Sequence, residues 1–254
     1  MPTRLTSEAM VVDANWSRDQ IEDYQREMER RRGPSGWYHQ FTIRDRAGHT
    51  IQTPGVHPGI PVLASLDRFG FPRDFTGKTV LDFGCNAGFY SFTAKLRGAA
   101  SVLGIDYFQH CVDQALLVRD ILGVDVEFRQ GDGEDPQAAL GTSDILINTG
   151  VIYHLQNPMR FLSNMARLTR ELMFLESEML VDPGLSEYAW FIEHEYLRDG
   201  SNWWIYGPEC LARMVRAAGF SRAEFKGFVW TPPPGEKTQE GFTRQGRGVM
   251  LCWK

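Results

Sequence analysis

The sequence has no excess of positive charge, no long apolar run and no clustering of cysteine, and each lack removes a class of function. Its 254 residues carry 27 Lys and Arg against 32 Asp and Glu, a formal charge of -5. No global basic field exists to hold nucleic acid nonspecifically, although a local basic patch stays open. No apolar stretch approaches the roughly 18 residues that a membrane span requires, so no membrane partner is expected. Cys85, Cys111, Cys210 and Cys252 fall without CxxC or zinc spacing, and no charged segment followed by an apolar one opens the chain. This describes a protein of a reducing, cytoplasmic compartment. Cys85 reads as a small packing residue rather than a nucleophile. His39, His49 and His57 have no carboxylate at a ligand spacing, and no metal centre is expected. A dinucleotide fingerprint is also missing, because Gly-x-Gly-x-x-Gly laid on Gly84 calls for glycine where Asn86 and Phe89 stand.

What is present is an ordinary globular composition, 43% hydrophobic and 23% charged, long enough for a substantial core. In the first 76 residues, Ser17 and Gln20 fit a capping box and Ile21, Tyr24 and Met28 share one helical face. Gly33 and Pro34 then end the pattern, predicting a helix over 18–32. Arg30, Arg31 and Arg32 suit the negative end of that helix as a solvated cap. Residues 37–43 and 49–51 read as a hairpin, and 53–61 are too rich in Pro and Gly for either regular element. Residues 1–76 are thus expected to form an N-terminal helix/hairpin cap, followed by one domain over 77–254.

From residue 78 strands and helices alternate, which predicts an α/β fold with a Rossmann-like doubly wound sheet, mostly parallel with an antiparallel last strand. Strands are expected at the run ending in Asp82 and Phe83, at 101–106, 124–130, 143–148 and 172–176, with a closing hairpin of 222–230 and 248–253. Helices are expected over 88–97, 108–122, 158–169 and from Pro208 to Gly219. The insertion at 177–206 holds Tyr188, Trp190, Phe191, Tyr196, Trp203, Trp204 and Tyr206. It reads as a lid or acceptor wall, or alternatively as a homodimer contact. The turn through Gly84 and Gly88 lets the backbone approach a small polar ligand, with unpaired helix N–H groups beside it. Ligands of an open parallel sheet sit beyond the carboxyl ends of its strands, which directs attention to residues 148–154.

The run Asp82, Gly84, Asn86, Gly88 resembles motif I of the class I S-adenosylmethionine (SAM) dependent methyltransferases, acidic-x-Gly-x-Gly-x-Gly. Asn86 stands where the middle glycine is usual, and asparagine tolerates the left-handed region. Gly150, Val151, Ile152, Tyr153 and His154 resemble the Gly-Val-Leu-Tyr-His of the tRNA wobble-uridine carboxymethyltransferase and its methyltransferase relatives. Ala218, Gly219 and Phe220 are similar to the end of a late helix in these enzymes. The carboxymethyltransferase resemblance covers roughly residues 78–176. It implies SAM as cofactor, with Gly84, Asn86 and Gly88 around its amino-acid part, Asp82 near its ammonium group and Asp106 on the ribose hydroxyls. Asp132 would then reach the adenine, and Asn148 would face the donor. For an acceptor proton, His154 and His194 are the candidate bases, while Tyr153 would contact donor or substrate. Methyl transfer to O or N of a small-molecule metabolite of a biosynthetic pathway is the expected activity. The alternatives are a tRNA-modifying (carboxy)methyltransferase and a non-catalytic SAM-binding regulatory protein. Against the former stand the acidic chain and the lack of a clear lysine ahead of motif I to pair with a carboxylated donor.

Overall fold

The computed structural model describes residues 3–136 and 140–254, in two units, Met1–Gly131 and Asp132–Lys254. The first unit runs β1 (Arg4–Leu5), β2 (Met10–Val11), α1 (Arg18–Arg30), β3 (His39–Gln40), β4 (Thr42–Arg44), β5 (Thr50–Gln52), β6 (His57–Pro58) and α2 (Gly59–Leu66). It continues with β7 (Thr79–Phe83), α3 (Phe89–Leu96), β8 (Ser101–Asp106), α4 (Gln109–Leu122) and β9 (Glu127–Gln130). The capping box forms: the Gln20 amide donates to Ser17 Oγ at 3.2 Å and the Ser17 amide donates to Gln20 Oε1 at 2.9 Å. At the other end Arg30 pairs with Glu27 and Arg32 with Glu29 on the exposed face. The buried Gln114 amide of α4 donates to the carbonyls of Arg31, Arg32 and Gly36, which satisfies acceptors that the end of α1 leaves open.

The expected hairpin is shorter than the sequence pattern. β4 and β5 pair antiparallel with Ile43 opposite Ile51, but the first arm breaks before residue 42. Thr53 causes the break, because its hydroxyl accepts from the Phe41 amide and donates to the His39 carbonyl, at 2.9 and 2.8 Å. The detached piece, β3, pairs in parallel with β6. Residues 53–61 therefore do contain regular structure, contrary to expectation. The amides of Val56 and His57 both donate to the Tyr38 carbonyl. Pro61 falls in the first turn of α2, where a missing N–H forfeits no helix bond. β7, β8 and β9 pair in parallel, with Asp82 beside Gly104 and Asp106 beside Gln130. Phe83, Phe89, Phe92, Ile105 and Phe128 are buried around this βαβαβ unit.

The second unit runs β10 (Ser143–Thr149), α5 (Pro158–Leu168), β11 (Thr169–Met179), β12 (Ala189–Phe191), β13 (Trp204–Tyr206), α6 (Pro208–Ala217), β14 (Arg222–Trp230) and β15 (Gly246–Trp253). α5 opens on proline at its first position and buries Phe161, Leu162, Met165, Ala166 and Leu168 along one stripe. β10 and β11 are parallel, while β15 is antiparallel both to β11 and to β14. β11 is more than twice the expected length because β15 pairs with it from Leu172 opposite Trp253 to Met179 opposite Gly246. Residues 177–179 thus belong to the sheet and not to the insertion. Beyond them β13 adds in parallel beside Met179, and β12 pairs antiparallel with β13. Leu180, Ile192, Tyr196 and Ile205 form the insertion's own small core. The architecture is a mixed α/β, Rossmann-like fold with a mostly parallel central sheet and an antiparallel last strand.

Candidate functional site

After β7 the backbone enters the left-handed region three times, at Gly84 (φ 77°), Asn86 (φ 49°) and Gly88 (φ 83°). The amides of Gly84 and Cys85 donate to the Ile105 carbonyl, and the Asn86 amide donates to Asp106 Oδ2 at 2.8 Å. Asn86 thus stands in the conformation that the usual middle glycine would adopt. Its own Oδ1 accepts from the Ala87 amide at 2.8 Å, the local bond that makes asparagine tolerable there. At Gly88 no side chain fits, since a Cβ would lie 2.7 Å from the Phe92 ring and 2.8 Å from that of Phe128. The turn leaves bare backbone at the start of α3; the amides of residues 84–88 are engaged within the protein, so donors for a small polar group are left to the first turn of the helix.

Two carboxylates support this turn. Asp106, at the end of β8 and 7% exposed, accepts from the amides of Asn86 and Phe108 at 2.8 and 3.0 Å. The Cys111 thiol also bonds to this carboxylate. Burial pushes its pKa up, and the two backbone bonds oppose that. Asp82 is wholly buried; its Oδ2 accepts from Ser91 Oγ at 2.6 Å, while its Oδ1 has no partner. Burial raises its pKa to about 7, with the charge of Asp106 adding and the bond from Ser91 opposing. An unmet acceptor under a glycine turn fits a cationic ligand, and the residues present are consistent with the amino-acid and ribose parts of SAM. Cys85 is buried with its thiol pKa raised by burial, which keeps it protonated and inert.

In the second unit Asp132 is exposed and its Oδ1 accepts from the Glu134 amide at 2.8 Å, an Asx turn. Glu134 in turn accepts from the amide and the side chain of Asn157, fixing a negative charge at the start of α5. Asn148 is fully buried within β10. Tyr153 and His154 lie in a short 3-10 turn, their rings 4.2 Å apart, and the Tyr153 hydroxyl accepts from Arg247 Nη1 at 2.8 Å. Arg247 also forks onto the Glu176 carboxylate and lies 3.8 Å from Glu178, which is 4% exposed and has an unpartnered Oε2. Burial raises the Glu178 pKa to about 7, against the pull of Arg247 and Arg244. His154 is half-buried, and its Nδ1 lies 2.9 Å from Ser201 Oγ. Burial pushes its pKa down, Asp199 and the Ser201 backbone push it up, and Arg247 adds to the lowering. His194 stands apart on the surface, 85% exposed and 3.8 Å from Glu193.

The structure therefore groups Gly84, Asn86, Gly88, Asp82 and Asp106 in one unit, and Tyr153 and His154 in the other. The residues unforeseen from sequence are Arg247, Glu176, Glu178, Asp199 and Ser201. For the first three a signal was available, a charge set among the apolar residues of two neighbouring strands. Among the described residues no group of three His, Cys, Asp or Glu is placed to hold a metal ion, and no helix is long and apolar enough to cross a membrane.

Fold and turn together define the class of SAM-dependent methyltransferases, whose methyl donor is SAM. A family model described as "Methyltransferase domain" matches residues 61–223, well over half of the chain, and the chain belongs to that family. It is 30% identical over 151 residues to the tRNA U34 carboxymethyltransferase of Marinobacter nauticus, covering 59% of this chain and 46% of that one. It is 27% identical over 180 residues to the ubiquinone biosynthesis O-methyltransferase of Cereibacter sphaeroides, covering 67% and 72%. The chain thus spans about half the length of the carboxymethyltransferase. Among solved structures, the N-terminal domain of EvdMO1, determined in the presence of SAH and D-fucose, aligns with a TM-score of 0.64 at 20% identity. That alignment covers 92% of this chain and 97% of the other, and it reports the shared fold.

Proposed function

We propose that the protein transfers the methyl group of SAM to an oxygen or nitrogen of a small-molecule acceptor. The observation that carries this reading is the run of left-handed residues at 84, 86 and 88 tied to Asp106, a backbone cradle with an acidic support. SAM supplies an activated methyl group on a sulfonium, so the chain's own tasks are to bind, align, exclude water and move a proton. The turn would hold the donor's amino-acid end with the carboxyl group of Asp82 beneath it. Asp106, at the end of β8, would take the ribose hydroxyls. His154, half-buried beside the aromatic insertion, would accept the acceptor's proton as the methyl–acceptor bond forms, and His194 is too exposed for that task. Tyr153, held by Arg247, would line the acceptor end.

Two of the observations favour a small acceptor over tRNA. The chain is acidic, and Arg247, the cation beside Tyr153, is already engaged by Glu176. The likeness to a tRNA U34 carboxymethyltransferase keeps the second reading specific. Calorimetry with SAM and SAH is the direct test. Micromolar binding that falls at least tenfold in Asp106→Ala is expected, and no binding by the wild-type chain would sink the class-level activity. A gel shift with tRNA at low salt separates the two acceptor readings, since a retained, salt-sensitive complex would displace the small-molecule one.

A further inference from the structure

We infer that Asp199 and Ser201 are positioning residues for His154, which fix its ring as the Nδ1–H tautomer and leave Nε2 as the basic nitrogen. This deepens the reading of His154 as the acceptor's base and rests on it. The tautomer follows from the count of protons. Ser201 Oγ has a single hydrogen, and it donates that hydrogen to Asp199 Oδ1 at 2.6 Å. A carboxylate has none to give back, so toward His154 Nδ1, 2.9 Å away, the hydroxyl acts as acceptor. Nδ1 must then carry the hydrogen. Asp199 Oδ1 also accepts from the Ser201 amide at 2.8 Å, and its Oδ2 lies 4.0 Å from the imidazole, close enough to favour the imidazolium once Nε2 has taken a proton. The Ser201 backbone, Arg247 and Tyr153 are the further charged and polar surroundings of the ring.

The loop that presents these residues is held in a conformation its side chains do not favour. Leu197 and Arg198 both adopt φ 58°, successive left-handed residues without glycine. Their amides donate to the two oxygens of Glu240, at 3.2 and 3.0 Å. Asn202 donates to the Tyr196 carbonyl at 2.6 Å, the Gln245 amide donates to the Tyr196 hydroxyl at 2.9 Å, and the Trp203 amide donates to the Tyr153 carbonyl at 2.8 Å. That last bond links the strained loop to the segment that carries His154. Backbone strain that its surroundings over-determine is characteristic of places where geometry matters for chemistry. A loop serving only as a connection would have no need of five such ties or of a carboxylate spent on two backbone amides.

The test is the tautomer itself, read without any acceptor. Long-range proton–nitrogen correlation spectra of the full-length labelled protein report which ring nitrogen of each histidine is protonated, and His154→Gln identifies the resonances of His154. In the wild-type chain above the His154 pKa, we expect Nδ1–H to dominate. Ser201→Ala and Asp199→Ala should each shift the majority to Nε2–H, the form a free imidazole side chain favours, and Ser201→Thr should restore Nδ1–H. Glu240→Ala should produce the same shift with Asp199 and Ser201 both present. A wild-type ring already in the Nε2–H form, or a tautomer that ignores Ser201→Ala and Asp199→Ala, overturns the proposal. A tautomer that ignores Glu240→Ala overturns the role of the loop clamp. Undiminished methyl transfer by His154→Gln would instead refute His154 as the base while leaving the positioning result intact, so the two failures are distinguishable.

Discussion

Two regions of this molecule hold the backbone left-handed, and they do so by opposite means. In the turn after β7 the positions are Gly84, Asn86 and Gly88, residue types for which that conformation is inexpensive. In the loop after Tyr196 they are Leu197 and Arg198, for which it costs about 1–3 kcal/mol each. Composition relieves the first region locally. Bonds from Glu240, Gln245 and Asn202 hold the second from outside. A turn of the first kind can be read from a string of letters, whereas the second kind becomes visible only when its distant partners are in place.

The comparison can be strained hardest at Arg247, the cation in the charged core of the second unit. Arg247→Met would leave Glu176 and Glu178 buried without their partner, and urea unfolding is expected to register a loss of about 3–5 kcal/mol. Gly88→Ala comes next. It places a Cβ within 2.8 Å of two phenylalanine rings at a positive φ, so about 2–4 kcal/mol of stability should go, together with SAM affinity. If the variant keeps wild-type stability, the turn does not depend on its glycines in the way described.

Asp82 ties stability to pH. Its folded pKa is raised to about 7 from the ordinary 3.8, so the folded state holds a proton that the unfolded chain releases. The associated stability is present in full below pH 3.8 and is lost as pH rises through about 7. Asp82→Asn should therefore shrink the difference in unfolding free energy between pH 5 and pH 8, by an amount on the order of 1–3 kcal/mol. On the proposed reading it should also weaken SAM binding, because the carboxyl group beneath the donor's ammonium is gone. Glu178, raised by burial to about 7, contributes in the same sense and sets the pH dependence that remains in the variant.

The smallest effects sharpen the contrast most directly. Arg198→Gly removes a side chain from an exposed left-handed position and should stabilise by up to about 1 kcal/mol, offset in part by the entropy of glycine. Asn86→Gly should change stability by no more than about 0.5 kcal/mol, because asparagine already tolerates this conformation. Equal gains from both substitutions, measured by thermal and urea unfolding, would erase the distinction between the two regions.

Much of the alternating part of the fold was legible. β8 matches the expected span of 101–106, and the capping box before α1, Pro158 opening α5 and Gly123 ending α4 stand where local chemistry puts them. Local signals failed where a partner far along the chain decided the outcome. Thr53 bonds both sides of residue 40 and splits the expected hairpin arm, Pro and Gly in 53–61 did not prevent β6 and α2, and β15 extends β11 to Met179. The same holds for the site. Gly84, Asn86, Gly88 and Asp106 lie within about twenty residues and carry a motif, so their grouping was readable. His154 meets Ser201 across 47 positions and Tyr153 meets Arg247 across 94, and no spacing rule connects them.

By itself, then, the sequence determined the class. The order of strands and helices, the glycine turn and the acid at the end of β8 depend on interactions within a few residues or one supersecondary unit, where periodicity and turn chemistry are sufficient. The tertiary structure alone brought Ser201 and Asp199 to the imidazole of His154 and left His194 on the surface. It also decided that the cation beside Tyr153 is spoken for by two buried carboxylates. Those facts depend on charge, burial and hydrogen-bond direction at points that only folding brings together. Glu240 and Ser201 accordingly carry no mark in the sequence that separates them from any other polar residue of a surface loop.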